Sequence, residues 1–293
     1  MAELVQGEPR LRMLTAHPYG DALEVWGDPI EHSRSPELHA AAYSELGMPW
    51  SYGRRQVTLD EFARQLASLD PSFRGLSLTY PLKGAAFAAS VQRDRHSELT
   101  GAVNTLLVGV EDGPLGFNTD VGGLVRDLRE HGVGDLSRAR IVGAGATATS
   151  ALVALAELGA RHIDVVARRA EAVVPLRELG TRLGVQVGAT PLDAPTHAAA
   201  ELTITTLPGG AAVAEEAADT LAATGGLLYD VVYGHWPTAL AAAWERAGHP
   251  AVNGLGMLLH QAVLQVRLFA TGNAEAPLPG EERIIAAMRA AVI

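Results

Sequence analysis

The 293 residues of this chain include no cysteine. Disulfide bonds and thiol nucleophiles are therefore excluded, and the composition is typical of a cytoplasmic protein. No apolar run reaches the length of about 18 residues that spans a bilayer, so we expect no membrane association. The first residues lack a basic stretch followed by an apolar core, and we expect no secretory signal.

Basic residues are also scarce. The chain has 23 Lys and Arg against 33 Asp and Glu, for a formal net charge of −10. Without a basic cluster, nucleic acid is not expected as a partner. At about 150 residues per domain the length predicts two domains. We expect a small-molecule substrate and either a monomer or a homodimer.

Lysine occurs once, at Lys83. Elsewhere the chain uses arginine, a planar cation that stays charged, whereas lysine is a compact donor that can pass on a proton. Residues 76–79 are predicted to form a strand, and Pro81 is expected at the first position of the following helix. Lys83 is then in the first turn of that helix, at the edge of the sheet where ligands bind in open α/β folds. A single surface lysine is the alternative interpretation.

The first part of the chain predicts alternating strands and helices, with strands at residues 23–26, 51–57 and 76–79. This order indicates a mostly parallel sheet with helices on its faces. A polar loop after the first strand carries Ser33 and Ser35. Ser35 is the expected N-cap of a helix to about Leu46, with Pro36 at its first position. Ser33 has no such structural explanation.

Residues 101–108 and 115–120 predict a hairpin, separated by a turn at residues 111–114. Asn104 lies on the first arm, and Asp120 ends the second and begins a helix to about Glu130. A carboxylate at this position is also favoured by the helix dipole alone.

A glycine-rich turn follows the strand at residues 140–142. It has the form Gly-x-Gly-x-x-Ala and leads into a helix from about Ser150. In this context the motif predicts a dinucleotide site, because the glycines let the backbone approach a pyrophosphate at the helix N-terminus. The next strand ends in Ala167-Arg168-Arg169. Two arginines suit a ribose 2′-phosphate and favour NADP, against the alternatives of Asp164 as a ribose-binding acid or of simple surface charge.

Residues 121–253 thus predict a second α/β unit. A long apolar helix then opens at residues 253–257 and carries His260 and Gln261. We expect His260 to be a packed or interface residue, since no second histidine lies at metal-ligand spacing on that helix. No metal site is expected.

Together these motifs resemble the shikimate dehydrogenase family across about residues 23–270. The matching motifs, in the family's order, are Ser33-Arg34-Ser35-Pro36, Thr79-Tyr80-Pro81-Leu82-Lys83, Gly101-Ala102-Val103-Asn104-Thr105, Asn118-Thr119-Asp120, the glycine-rich turn at 143–148, Tyr229-Asp230-x-x-Tyr233, and Gly254-Leu255-Gly256-Met257 with Gln261.

The resemblance implies reversible, NADP-dependent reduction of 3-dehydroshikimate to shikimate, in chorismate and aromatic amino acid biosynthesis. It implies a substrate-binding domain of residues 1–120 plus 255–293 and a Rossmann-like NADP-binding domain of residues 121–254, with a cleft between them. The implied substrate-binding residues are Ser33, Ser35, Thr79, Lys83, Asn104, Asp120, Tyr233 and Gln261. The implied cofactor-binding residues are Gly143, Ala144, Gly145, Ala146, Thr147, Ala167, Arg168, Arg169, Val231 and Gly254.

Lys83 and Asp120 are the implied catalytic pair. A positioned ammonium stabilises the charge that develops on a ketone oxygen as hydride arrives, and it can donate the proton. Asp120 could instead orient Lys83 and bind a substrate hydroxyl.

The chain departs from the family pattern in three places, at Ser77, at Ala146 and at Ala167-Arg168-Arg169, where the family often has Asn-Arg-Thr. The arginine of that last motif is kept and a second charge is added, so NADP stays favoured, whereas Ser77 leaves the substrate open. The position two before Thr79 is usually Asn in the family and here is Ser77, which removes an amide and admits quinate or an aminated shikimate analogue as substrate. Ala146 replaces a frequent glycine and is expected to be tolerated if its φ is negative. A non-catalytic ligand sensor and a folate-linked dehydrogenase are the more distant alternatives.

Overall fold

The computed structural model describes residues 22–110, 112–195, 198–234 and 236–292. Residues 1–20 show no periodicity and carry glycine and proline, which predicts a loose extension. These residues and Glu111 of the predicted turn lie outside the described residues. The chain forms two compact units. The first contains the described residues up to Asp94, Val103–Phe117 and the chain from Gln265. The second contains Arg95–Ala102 and Asn118–Leu264.

The strands of the two units are numbered along the chain. They are β1 (Ala22–Gly27), β2 (Ser51–Gln56), β3 (Phe73–Leu78), β4 (Gln92–Arg93), β5 (Thr105–Leu107), β6 (Leu115–Phe117), β7 (Arg138–Val142), β8 (His162–Ala167), β9 (Gln186–Pro191), β10 (Leu202–Thr205), β11 (Leu227–Asp230) and β12 (Ala251–Asn253).

The helices are numbered in the same way. They are α1 (Ser35–Leu46), α2 (Phe62–Ala67), α3 (Lys83–Ala89), α4 (Arg95–Thr100), α5 (Thr119–Glu130), α6 (Ala146–Glu157), α7 (Val174–Leu183), α8 (Glu215–Ala222), α9 (Ala239–Arg246), α10 (Leu255–Thr271) and α11 (Glu281–Ala290). No helix among the described residues combines the length and the apolar character needed to cross a membrane.

The first unit contains a mixed sheet in the order β2-β1-β3-β5-β6-β4. β1, next to the edge strand β2, pairs in parallel with β2 and β3, as the alternating strands and helices predicted. β5 and β6 form the predicted antiparallel hairpin, which joins the sheet through an antiparallel pairing of β5 with β3. The short β4 and the helix α4 were not anticipated from the sequence.

The second unit contains an entirely parallel sheet in the order β12-β11-β10-β7-β8-β9. Counted from its own first strand, β7, this order is that of a doubly wound dinucleotide-binding fold. The chain reverses direction across the sheet between β7 and β10, and a ligand crevice is expected outside the carboxyl ends of these two strands. The α/β fold class with a Rossmann-like unit is confirmed.

Three helix starts differ from the prediction. Ser35 is the first residue of α1, and the flanking cap position is Arg34. Pro81 precedes α3 instead of opening it, because Leu82 N donates to Thr79 O at 2.8 Å and closes a separate turn. α6 begins at Ala146, directly after Gly145 as its N-cap, and therefore earlier than the predicted Ser150.

A buried amide organises the polar interior of the first unit. Gln265 Oε1 accepts hydrogen bonds from Ser77 Oγ at 2.9 Å and from His39 Nε2 at 3.2 Å. Gln265 Nε2 donates to Asn104 O at 3.3 Å and to Thr105 Oγ1 at 3.0 Å. All four hydrogen-bonding positions of the amide are filled, so this one side chain holds α1, β3 and β5 to α10.

His39 stays neutral inside this network. Its Nδ1 pairs with the Tyr43 hydroxyl at 2.9 Å, and its ring stacks on Tyr52 with ring centroids 4.0 Å apart. Burial lowers the pKa of His39 from 6.5 to about 3, and the hydrogen bond to Gln265 opposes that shift without cancelling it. The folded chain therefore takes up this proton only in strong acid.

The His39 pKa predicts acid lability. Below pH 6.5 the unfolded chain protonates His39 and the folded chain does not, down to pH of about 3. The free energy of unfolding should therefore fall by up to about 1.4 kcal/mol per pH unit in this window. His39→Gln should remove that part of the slope in urea titrations between about pH 7 and about pH 4.5, whereas the exposed His32→Gln should retain it. Equal slopes for the two variants would contradict the assignment.

Candidate functional site

The loops after β1 and β3 leave the first sheet at the same edge. Thr79 N donates to Trp26 O at 2.9 Å, and Asp28 N donates to Tyr80 O at 2.9 Å. A side chain on Gly27 would overlap the Thr79 side chain, so the close approach of the two loops requires glycine. This edge carries the two predicted serines on one loop and Lys83 on the other.

Lys83 is joined through its backbone to the segment that carries Asn104. Lys83 O accepts from Val103 N at 3.0 Å. Asn104 N donates to Phe117 O at 3.0 Å, and Asn104 O accepts from Leu78 N at 2.7 Å. Asn104 is buried, with its Oδ1 accepting from Thr105 Oγ1. The structure thus brings together the stretches that hold Thr79, Lys83 and Asn104.

The tyrosine hydroxyl of Tyr52 lies between two serines. It donates to Ser77 Oγ at 2.6 Å, and Ser35 is its other polar neighbour. Burial raises the pKa of Tyr52 well above its usual value, and the interactions with Ser77 and Ser35 only partly oppose the shift. The phenol is therefore a permanent donor. Ser77 in turn donates to Gln265, so the residue that departs from the family pattern is fully engaged in the network.

Asp120 is held by a helix cap that the sequence analysis assigned no role. Asn118 is the N-cap of α5, and its Oδ1 accepts from Asp120 N at 3.0 Å and from Val121 N at 3.4 Å. Its Nδ2 donates to Ala102 O at 3.1 Å and to Thr100 Oγ1 at 3.0 Å. Asn before a helix is a recognised start signal. Asp120 is buried in the first turn of α5, in the second unit.

Gln261 lies where α5 and α10 pack closely. It is 8% exposed, and its Nε2 donates to Leu258 O at 2.8 Å. A Cβ on Gly123 of α5 would lie 2.7 Å from Gln261 N. Glycine at this position therefore sets the distance between the helix that carries Asp120 and the helix that carries Gln261.

Val231 and Gly254 come together at the carboxyl ends of β11 and β12. A side chain on Gly254 would overlap the backbone of Val231, and Gly254 N donates to Val232 O at 3.2 Å. Tyr233, at the end of the same loop, is partly exposed. The predicted cofactor neighbours Val231 and Gly254 are thus in contact.

Asp230 anchors the loop that carries Val231 and Tyr233. Its Oδ1 accepts from Val232 N at 3.0 Å, and its Oδ2 accepts from Thr238 Oγ1 at 2.6 Å. Burial raises the pKa of Asp230, and the hydrogen bonds from Thr238 and Val232 oppose that shift. The aspartate of the Tyr-Asp-x-x-Tyr motif therefore has a structural role in shaping the loop.

The glycine-rich turn occupies the crevice between β7 and β10. Gly143 has φ of 111°, and a Cβ there would lie 2.5 Å from Thr206 Oγ1. Gly145 is the N-cap of α6 and is exposed, and a Cβ on it would meet no atom within 4 Å. No described side chain caps α6, so none occupies the helix N-terminus, where a phosphate binds in folds of this kind. None of the described residues other than glycine has positive φ, and Ala146 is therefore tolerated as expected.

Arg168 and Arg169 follow directly after β8, beside the glycine-rich turn. Gly143 N donates to Val166 O at 2.9 Å, which ties the two strand ends together. Both arginines are exposed, and neither guanidinium forms a hydrogen bond or ion pair with a described residue. Asp164, the alternative ribose-binding acid, accepts from Thr190 Oγ1 at 2.8 Å within the sheet. The donor set at this strand end therefore fits a phosphate.

The predicted residues divide between the two units. Ser33, Ser35, Thr79, Lys83 and Asn104 belong to the first unit, whereas Asp120, Tyr233, Gln261 and all the predicted cofactor residues belong to the second. The pairing of Lys83 with Asp120 stays a prediction, as do the two domain ranges assigned from the sequence.

The packing of α5 on α10 leads to a prediction for Gly123→Ala. The added methyl group has no room beside the Gln261 backbone, so the free energy of unfolding should fall by about 1–3 kcal/mol in urea denaturation. Gly84→Ala is the matched control, because its methyl group would meet no atom within 4 Å and alanine favours the helix by about 0.5–1 kcal/mol. A similar fall in the free energy of unfolding for both variants would contradict the claim that the close approach of α5 to α10 requires glycine at position 123.

Sequence comparisons agree on one family. Residues 25–106 match the model of the shikimate dehydrogenase substrate binding domain. A protein of Methylobacterium radiotolerans named shikimate dehydrogenase (NADP(+)) is 38% identical over 264 residues, which cover 82% of this chain and 87% of that protein. A protein of the same name from Alkalilimnicola ehrlichii is 38% identical and covers 83% and 90%.

Solved structures lead to the same family. Shikimate dehydrogenase of Mycobacterium tuberculosis is 40% identical, with a TM-score of 0.81, and the match covers 92% of this chain and 99% of that one. The shikimate 5-dehydrogenase of Thermus thermophilus, solved with NADP(H) and shikimate, is 30% identical with a TM-score of 0.76 and covers 93% and 100%. With its parallel nucleotide-binding sheet and its ordered motifs, this chain belongs to the shikimate dehydrogenase family.

Proposed function

We propose that this protein catalyses the reversible, NADP-dependent reduction of 3-dehydroshikimate to shikimate, in the cytoplasm, as a step of chorismate and aromatic amino acid biosynthesis. Membership of the family carries this proposal, since relatives that match over most of their length are named shikimate dehydrogenase (NADP(+)). The similar Thermus thermophilus enzyme was solved with NADP(H) and shikimate. The protein is proposed to act as a monomer or a homodimer.

The first unit is proposed to bind the substrate's hydroxyls and carboxylate. Ser33, Ser35, Thr79 and Asn104 offer hydroxyl and amide groups at one edge of the sheet. The buried Gln265 amide and the Tyr52 phenol hold this edge rigid, which favours a substrate with many hydroxyls in fixed positions. Tyr233 and Gln261 of the second unit are proposed to complete the pocket.

Lys83 is proposed as the acid and base of the reaction. NADPH, when bound, would supply the hydride that reduces the ketone carbon. The Lys83 ammonium would stabilise the negative charge developing on the ketone oxygen and donate its proton there, and in the reverse direction it would accept the hydroxyl proton. Asp120, fixed by the Asn118 cap, would orient the ammonium and bind a neighbouring hydroxyl.

The second unit is proposed to hold the cofactor. Gly143, Ala144, Gly145, Ala146 and Thr147 would surround the pyrophosphate at the N-terminus of α6. Ala167, Arg168 and Arg169 would surround the adenosine ribose and its 2′-phosphate, and Val231 and Gly254 would lie against the nicotinamide.

Absorbance at 340 nm tests the reaction. Purified protein should reduce NADP⁺ with shikimate, and much more slowly with quinate or with NAD⁺. Lys83→Ala should lower kcat about a hundredfold or more, because a general acid or base contributes about 10²–10⁴ in rate. Arg64→Ala, which removes an exposed cation of the same unit, should leave kcat unchanged. Turnover of quinate instead would reassign the substrate, and NADP binding without any turnover would support a sensor.

The phosphate assignment predicts a change in cofactor choice. The double variant Arg168→Ala/Arg169→Ala should lower kcat/KM for NADP⁺ by about 10–100-fold, since charge-assisted hydrogen bonds contribute about 1.5–3 kcal/mol, and should leave that for NAD⁺ nearly unchanged. Arg161→Ala removes an exposed arginine just before the opposite end of β8 and serves as the control. Equal losses with both cofactors would refute a 2′-phosphate contact.

A further inference from the structure

Three potential metal ligands converge in the second unit, on residues that the proposed reaction does not use. One donor atom each from Asp127, Glu130 and His260 lies within 4.8 Å of the other two. Asp127 and Glu130 are three residues apart on α5 and so share one face of that helix. His260 approaches them from the second turn of α10.

The His260 ring nitrogen indicates that the cluster is incomplete. The side chain is 5% exposed, and its Nε2 lies 3.0 Å from Glu130 Oε1. The two atoms are nevertheless not aligned for a hydrogen bond, and among the described residues Nε2 has no hydrogen-bond partner. A buried polar atom without a partner is unusual and calls for a ligand. A shared ion is compatible with this short distance, since neighbouring ligands about 2.1 Å from a tetrahedral zinc ion are about 3.4 Å apart.

The Asp127 carboxylate is already oriented. Its Oδ2 accepts a short hydrogen bond from the buried Tyr229 hydroxyl. A side chain on Gly256 would overlap the carboxylate, so glycine leaves the space that it occupies. On the exposed side, His131 Nδ1 pairs with the backbone O of Asp127 at 3.0 Å and lies 3.5 Å from its Oδ1. Such outer contacts are typical of carboxylates that bind metals.

We propose that Asp127, Glu130 and His260 bind a divalent transition-metal ion of the zinc class. One imidazole and two carboxylates favour Zn²⁺ over Mg²⁺ or Ca²⁺, which prefer oxygen ligands alone. Glu130 is 45% exposed and provides the entry side, where water would complete the coordination. The bound ion joins the last turn of α5 to α10. It thereby stabilises the packing of the two helices that carry Asp120 and Gln261.

The sequence predicts no metal site, because α10 carries no second histidine at ligand spacing. The missing ligands come instead from α5, a helix more than a hundred residues earlier in the chain (260 − 130 = 130). No pattern within one helix could reveal such a set.

The test is metal binding by the untagged full chain after chelator treatment and dialysis. Calorimetry should show one Zn²⁺ per chain, and Co²⁺ should give a visible absorption band that Zn²⁺ removes. Glu130→Gln and His260→Gln should each weaken binding at least about tenfold. Glu130 is exposed, so Glu130→Gln is expected to fold. This variant can therefore still test the proposal if the variant of the buried His260 fails to fold.

His96→Gln is the matched control. His96 Nε2 and Glu157 Oε1 form a hydrogen-bonded pair at 2.9 Å in the same unit, outside the three-ligand cluster. This variant should bind Zn²⁺ as the wild type does. Absence of stoichiometric Zn²⁺ binding would overturn the proposal, and so would equal affinity in wild type and Glu130→Gln. Neither result would bear on shikimate turnover, which is measured separately.

Discussion

The buried amide of Gln265 is the interaction on which the first unit depends. A primary amide has two donors and two acceptor positions, and here all four are used at once, by groups on α1, β3 and β5. In a low-dielectric interior an unmade hydrogen bond is costly, so the network has one low-energy arrangement. That arrangement includes the backbone of Asn104 and the side chain of Ser77. The buried network therefore fixes the position of the sheet edge that is proposed to bind the substrate.

The second unit depends instead on places where the backbones of neighbouring elements come close together at a glycine. Gly143, Gly123 and Gly254 each lie where a side chain would collide with a neighbouring element. These contacts bring the glycine-rich turn to the end of β10, α5 to α10, and the loop after β11 to the loop after β12. Asn118 adds the fourth constraint, since its amide caps α5 and reaches back to the end of α4. The proposed cofactor and substrate groups thus rest on backbone geometry that tolerates little change.

Local rules explain why some sequence expectations were right and others wrong. The glycine-rich turn was recognisable because Gly-x-Gly between a strand and a helix has a specific backbone requirement. The prediction that Ser35 is the N-cap of α1 was wrong, since Ser35 is itself the first helical residue. Its N–H donates to the Ser33 hydroxyl at 3.4 Å. Pro81 was misplaced because the preceding Thr79–Leu82 turn uses the residues that a helix start would need. Caps and turns compete over two or three residues, and a single sequence does not resolve that competition.

By itself the sequence determined the α/β class, the parallel nucleotide-binding unit, the family and the chemical character of Lys83 and of the two arginines after β8. These follow from periodicity, from glycine spacing and from residue type, which are local properties. Only the tertiary structure decided that Gln265 is the centre of a polar network, that the Tyr52 hydroxyl donates to Ser77, and that Asp127 and Glu130 meet His260. Each of these contacts joins residues distant in the chain, and the pairing is selected by the burial of whole helices and strands. No local pattern carries that information.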